Sequence, residues 1–287
     1  MKRLVVAIIH GIASEDKHYS TEFKHRVVEH YLKGDRKNRM EDDLLFHEIY
    51  WGDLIQGVNE ELLQRLDYRN ELTYTSVRQL FVDFMNLALA YNNSSDSGLY
   101  QAIHNRIADS MKKLSAHRHV DADNTPVVLL AHSFGSVIMS HYIQDLRNAG
   151  AGNEKVSNMT CVERFETLAG LITFGSPLAI YDSLTERLPA PIEKTGHKLD
   201  PELKARAKWL NFYDKDDIVA YPMKSISDDY EKVVSADHEI NVGSAATSWN
   251  PACHTGYWED KDFYRPVANY LGEMRASHPF WELPDTL

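Results

Sequence analysis

Uninterrupted apolar runs alternate with helical apolar stripes along this chain, and the alternation predicts its architecture. Leu4–Ile9, Val127–Ala131 and Leu168–Phe174 are short runs without a polar face. Such runs suit strands buried on both sides of a parallel sheet. Leu44–Trp51 and Trp209–Tyr213 read as two more strands, and Glu239–Val242 as a further one. Between the runs, apolar residues return at helical spacing. Phe23, Val27 and Tyr31 mark one face of a helix over Thr21–Lys33, which Gly34 stops. Three more stripes follow: Leu54, Val58, Leu62 and Leu66; Val77, Leu80, Phe81, Phe84, Leu87 and Tyr91; and Leu99, Ile103, Ile107, Met111 and Leu114. Val137, Ile138, His141, Tyr142 and Asp145 form another, and a last helix over Asp262–Ala276 turns Val267, Tyr270, Leu271 and Met274 inward. One crossover helix suffices to join two parallel strands. Residues 53–116 are therefore expected to be a helical insertion, either a cap or a cover for one face of the sheet.

Composition narrows the class of partner. The chain has 287 residues, 43% of them hydrophobic and 25% charged, which is enough for a single α/β domain over residues 1–287 with a full core. A formal net charge of -11 disfavours nucleic acid and anionic membrane surfaces as partners. Cys161 and Cys253 make no disulfide framework and are expected to be free thiols in a reducing compartment, which favours a cytoplasmic location. Lys2 and Arg3 precede an apolar run of only six residues that ends at His10 without a small-residue cleavage site, so a strand is expected there instead of a signal peptide. No apolar run approaches the length of a membrane span, and no stable membrane insertion is expected.

The chemistry centres on Ala131-His132-Ser133-Phe134-Gly135, which joins an apolar run to a helical stripe. A strand passing straight into a helix through one serine makes a tight, strained turn. That turn pushes the hydroxyl out of the sheet to a helix N-terminus, where the dipole and free N–H groups favour developing negative charge. A serine nucleophile needs those conditions. The spacing matches the nucleophile elbow Gly-x-Ser-x-Gly, with Ala131 in the first position, where close packing demands a small residue. On these residues the chain resembles the α/β-hydrolase family of serine esterases and lipases. The His10-Gly11-Ile12 turn after the first strand, Phe174-Gly175-Ser176-Pro177 after a later one, a carboxylate beyond Trp209–Tyr213 and His254 before the last helix extend the resemblance over nearly the whole chain. It implies an α/β-hydrolase-type three-layer sandwich, with a mostly parallel central sheet and helices on both faces.

The resemblance also implies a set of roles. Ser133 is the expected nucleophile and His254 its base, because a serine hydroxyl is a weak nucleophile at neutral pH. Asp214, Asp216 and Asp217 all lie near a strand end, on the edge where α/β sheets bind ligands. Asp217-Ile218-Val219 best resembles the family's Asp-x-Val, so Asp217 is favoured as the orienting acid, with Asp216 next. The oxyanion hole is expected at the backbone N–H groups of Phe134 and Ile12, with Gly11 allowing close approach and His10 ordering the turn. Ser176 is expected to be a turn residue.

Two further patterns carry little. The run His117-Arg118-His119-Val120-Asp121-Ala122-Asp123 resembles part of a metallohydrolase motif but lacks the closing histidine, so polar connection is the better reading. His141 and Asp145 match an acyltransferase-like His-x-x-x-Asp but are expected on helical surface. Tyr181–Lys208, with Pro189, Pro191 and Pro201, is expected to leave the sheet and border the substrate entrance. The expected activity is hydrolysis of a small-molecule or lipid carboxylic ester through an acyl-enzyme, with no metal and no organic cofactor. Lipase, thioesterase or acyltransferase action on the same residues is the alternative, as is a binding protein that kept the fold and lost the chemistry.

Overall fold

A computed structural model describes residues 3–12, 17–34, 43–55, 75–91, 98–150, 153–184, 190–244, 247–249 and 251–276. Six strands, β1 (Leu4–Ile9), β2 (Leu44–Ile49), β3 (Val127–His132), β4 (Leu168–Phe174), β5 (Trp209–Tyr213) and β6 (Ala236–Glu239), form one sheet in the order β2-β1-β3-β4-β5-β6. Every neighbouring pair is parallel. The central strands β1, β3 and β4 are buried at every position, which is why they read as unbroken apolar runs.

Alternate side chains point to opposite faces and build two cores. Val5, Ala7, Ile9, Val127 and Leu129 pack with α2 (Thr75–Ala90), α3 (Gly98–Ser115) and α4 (Phe134–Ala149). Leu4, Val6, Ile8, Val128 and Leu130 pack with α1 (Thr21–Gly34) and α9 (Lys261–Arg275). The result is a three-layer α/β sandwich with helices on both faces of the sheet. Short helices α5 (Glu154–Ser157), α6 (Leu178–Leu184), α7 (Pro201–Arg206) and α8 (Asp228–Val233) lie in the connections. Among the described residues, no helix is long and apolar enough to cross a membrane.

Part of the 53–116 expectation lies outside the described residues: of its first stripe, only Leu54, in the turn Gly52–Leu54, is described. The third stripe packs Ile103, Ile107, Met111 and Leu114 into the sheet-facing core. The second runs along α2, which buries Phe84, Leu87 and Tyr91 and also touches the Pro251–Trp258 turn.

Two expectations need correction. The last strand is β6 at Ala236–Glu239, three residues before the expected Glu239–Val242. An edge strand that is half exposed carries no continuous apolar run, and Val242 lies beyond it, packed into the core on the α1 and α9 side with its N–H donating to Asp214. The expected Tyr181–Lys208 excursion is corrected only in its later part: Tyr181 packs on Phe134 beside Ser133, whereas the stretch at Gly196–Lys198 lies away from that edge. The Gly196 N–H donates to the Leu168 carbonyl and the Lys198 N–H to the Glu166 carbonyl, which ties the segment to the amino end of β4.

The topology leaves one crevice. The chain steps from β1 outward to β2 and then returns to β3 on the other side of β1. Loops leaving the carboxyl ends of β1 and β3 therefore diverge, and ligands bind open α/β sheets at such switch points. The β1 turn at His10-Gly11 and the β3 turn at Ser133 face each other there.

Candidate active site

Ser133 sits between β3 and α4 with φ 50° and ψ -131°. A non-glycine residue with positive φ is strained, at a cost of about 1–3 kcal/mol, and persists only where neighbours over-determine it. Here the neighbours are visible. The Ser133 N–H donates to the Phe174 carbonyl, extending the β3–β4 ladder into the turn. Its carbonyl accepts the Ser136 N–H at 3.0 Å and the Ser136 hydroxyl at 2.6 Å. Ser136 Oγ also lies 2.6 Å from Ser176 Oγ, which accepts the Leu178 N–H at 3.3 Å. Ser176 is thus a turn residue that braces the elbow from β4.

The β1 turn lies directly against the elbow. A methyl group on Gly11 would stand 2.3 Å from Ser133 Cβ and 2.8 Å from its Oγ. One on Gly135 would stand 2.5 Å from the His10 carbonyl oxygen. No side chain fits at either place, which explains the glycines at both.

Three loops bring the polar groups together. Ser133 Oγ lies 2.8 Å from His254 Nε2, and His254 Nδ1 lies 2.8 Å from Asp217 Oδ2. All three residues are buried, with exposures of 2%, 2% and 3% for Ser133, His254 and Asp217. A carboxylate only accepts, so His254 donates from Nδ1 and its Nε2 is left to take the Ser133 proton. Asp217 Oδ1 further accepts the Val219 N–H at 3.2 Å, and its Oδ2 accepts the Tyr257 hydroxyl at 3.1 Å.

Of the three candidate acids, Asp217 meets the imidazole. Asp214 is fully buried but spends its oxygens on the loop, taking the Asp216 N–H on Oδ1 at 2.8 Å and the Val242 N–H on Oδ2 at 2.7 Å. Asp216 enters this hydrogen bonding through its backbone. Cys253, beside His254, is buried, and burial followed by the Asp217 and Asp214 charges pushes its thiol up to about 12. It is therefore an inert thiol at neutral pH.

His10 orders the β1 turn. Its Nδ1–H donates to the Gly11 carbonyl at 2.7 Å, and its Nε2 accepts the Trp51 N–H at 3.1 Å. The Trp51 indole donates back to the His10 carbonyl at 3.0 Å, with the two rings stacked at 5.0 Å. Both ring nitrogens are committed to the neutral form, and burial, offset in part by the Gly11 bond, holds the imidazole down at about 4. Phe134 is the first residue of α4, so its N–H has no partner within the helix. Ile12 closes the opposite turn and is buried.

Two site neighbours were not anticipated from sequence. His132 is buried, and its Nε2–H donates to the His254 carbonyl at 3.2 Å. Burial and then the neighbouring His254 keep it well below the ordinary histidine range. Tyr257 is the other. Its hydroxyl accepts the Asp214 N–H at 2.9 Å while donating to Asp217. The sequence signal for both was only proximity, one residue before Ser133 and three after His254.

His141 contradicts its expected surface position. It is buried and stacks on Tyr91 at 5.8 Å, while Asp145 pairs with His104 Nδ1 at 3.3 Å and accepts the Tyr100 hydroxyl at 2.7 Å. Around Asp121, the carboxylate accepts the Asp123 N–H and the Asn124 amide, so this stretch is a turn. Among the described residues, no three His, Cys, Asp or Glu side chains gather as a metal site. A surface cavity of about 350 Å³ at Leu146, Arg147, Glu166 and His197 lies at the far end of α4. The helix has 16 residues, which separates the cavity from Ser133 by about 20 Å.

A scan against protein-family models finds no model matching this chain, and a search of curated proteins finds no match either.

Proposed function

We propose that this chain is a serine hydrolase of the α/β-hydrolase kind, which cleaves carboxylic esters through an acyl-enzyme on Ser133. One observation carries the reading: a buried hydroxyl, imidazole and carboxylate in line, with 2.8 Å at each junction. The strained turn at the start of a helix supports it, because a capping serine has no need of positive φ.

In this reading Ser133 Oγ attacks the ester carbonyl as its proton passes to His254 Nε2. Asp217 stabilises the resulting imidazolium and holds its tautomer. The carbonyl oxygen gains negative charge at the N-terminus of α4, where the Phe134 and Ile12 N–H groups receive it; each such donor is typically worth about 3 kcal/mol. Collapse expels the alcohol, which takes the proton from His254. Water then repeats the sequence on the acyl-enzyme and frees the acid. Ser133, His254, water and the substrate carry every proton and electron pair in this route.

Hydrolysis of short activated esters by the wild type, Ser133→Ala and His254→Ala tests it. The expected result is turnover by the wild type, lost by several orders of magnitude in both variants with the fold retained. Full activity in Ser133→Ala would overturn the reading.

A further inference from the structure

The route above gives Tyr257 no task, yet its hydroxyl reaches the reacting chain. That hydroxyl donates at 3.1 Å to Asp217 Oδ2, the same oxygen that accepts His254 Nδ1–H at 2.8 Å. It has one proton to give, and the Asp214 N–H, donating to it at 2.9 Å, aims that proton at Asp217. The ring is fully buried against Phe174 and Phe263, so the hydroxyl has little freedom to turn away.

The surroundings concentrate the effect on Asp217. Among the described residues, the titratable groups facing this corner are Asp214, Asp216 and Asp217 from the loop after β5, His132 from β3 with His10 beyond it, and Cys253 from the same turn as Tyr257. Asp214 is committed to two backbone N–H groups, and His132 and His10 stand as neutral donors to carbonyls. Two donors on one carboxylate oxygen share its charge, so each weakens the hold on the other.

We propose that Tyr257 is a positioning residue for His254: its hydroxyl ties Asp217 to the Asp214 loop and sets how strongly Oδ2 holds the imidazole. The consequence for turnover rests on the ester-hydrolase reading, whereas the hydrogen bond itself is measurable without turnover.

Histidine-ring NMR titrations of the wild type and Tyr257→Phe test this. Losing the hydroxyl leaves Asp217 Oδ2 with the His254 Nδ1–H as its remaining side-chain donor, so the His254 ring should take up its proton at higher pH in the variant. A rise of about half a unit, a threefold change in proton affinity, is expected, and the acid limb of kcat/KM should move with it while KM changes little. Replacing Tyr257 by 3-fluorotyrosine keeps the ring and the Asp214 contact but strengthens donation, so the midpoint should move the other way. It also decides the matter if Tyr257→Phe fails to fold. In an Asp217→Asn background, Tyr257→Phe should add no shift. Unmoved midpoints, or shifts of the same sign in both replacements, would overturn the proposal. An inactive wild type whose His254 titration moves as expected would sink the ester reading and leave the Tyr257 role standing.

Discussion

Two chains of hydroxyl, imidazole and carboxylate lie among the described residues, and they are built differently. Ser133, His254 and Asp217 form the first. Tyr91, His104 and Asp145 form the second, with Tyr91 Oη 2.9 Å from His104 Nε2 and Asp145 Oδ2 3.3 Å from His104 Nδ1. In the first, each group comes from a different loop at the carboxyl edge of the sheet. The hydroxyl sits on a strained turn at a helix start, with Gly11 alongside. In the second, all three groups come from helices α2, α3 and α4 or their ends, on one face of the sheet. Tyr91 is fully buried against Phe134 and His141, and burial, followed by the neighbouring Tyr100 and Tyr181, holds its phenol well above its ordinary value. Its phenol is packed among aromatic rings and is not set on a strained turn at a helix start. The same three kinds of group therefore fasten helices in one place and, in the function proposed above, activate an oxygen in the other; helix N-terminus, strain and the close approach of Gly11 make the difference.

The two sites should differ most at their acids. Asp217→Asn leaves the packing volume but removes the charge and the tautomer control, and should lower kcat by about 10⁴-fold. Asp145→Asn should leave kcat within a factor of about two. Equal losses in steady-state ester hydrolysis would erase the distinction.

Gly11→Ala sharpens the same contrast at the backbone. The new methyl must displace either the β1 turn or Ser133, and a displacement approaching 1 Å costs about 100-fold in rate. Unchanged kcat/KM would mean that the β1 turn does not shape the site.

Acid should unfold both regions together. His10 in the β1 turn, His141 beside Tyr91 and His47 in β2 are each held down at about 4, with burial the first cause in every case. Their folded values lie below the unfolded one, so the unfolded chain binds the extra protons. Their contribution is complete above about pH 6.5 and is lost as pH falls toward 4, by up to about 4 kcal/mol per pH unit for three groups. Urea midpoints measured from pH 7 to 4 should fall steeply, and a flat series would contradict the burial of these rings.

The smallest effect belongs to the second chain. Tyr91→Phe removes one buried hydrogen bond and should cost about 1 kcal/mol, seen as a fall of about 2–4 °C in Tm. A loss of activity without a loss of stability would place Tyr91 in the wrong group.

Much of this contrast was legible in the sequence, and the reasons lie in particular residues. β1, β3 and β4 announce themselves because both of their faces are covered. Ser133 follows β3 directly and Asp217 lies in the turn just past β5, so local pattern brings both to the carboxyl edge of the sheet. The apolar pattern places the last strand too late because an edge strand that is half exposed, as β6 is, has no apolar run to read. His141 and Asp145 share a helical spacing with surface pairs, and only the tertiary packing of Tyr91 and Tyr100 separates their fates. His132 and Tyr257 were missed because their partners lie 122 and 40 residues away, at His254 and Asp217. No periodicity reports such contacts.

The proposed chemistry stands or falls with Ser133 as an activated nucleophile. The most direct measurement is the intact mass of the protein after treatment with a fluorophosphonate, with Ser133→Ala and Tyr91→Phe alongside. A single adduct on the wild type and on Tyr91→Phe, and none on Ser133→Ala, is the predicted result. Labelling of Ser133→Ala, or a folded wild type that takes up no probe, would contradict it and favour a protein that keeps this fold for binding.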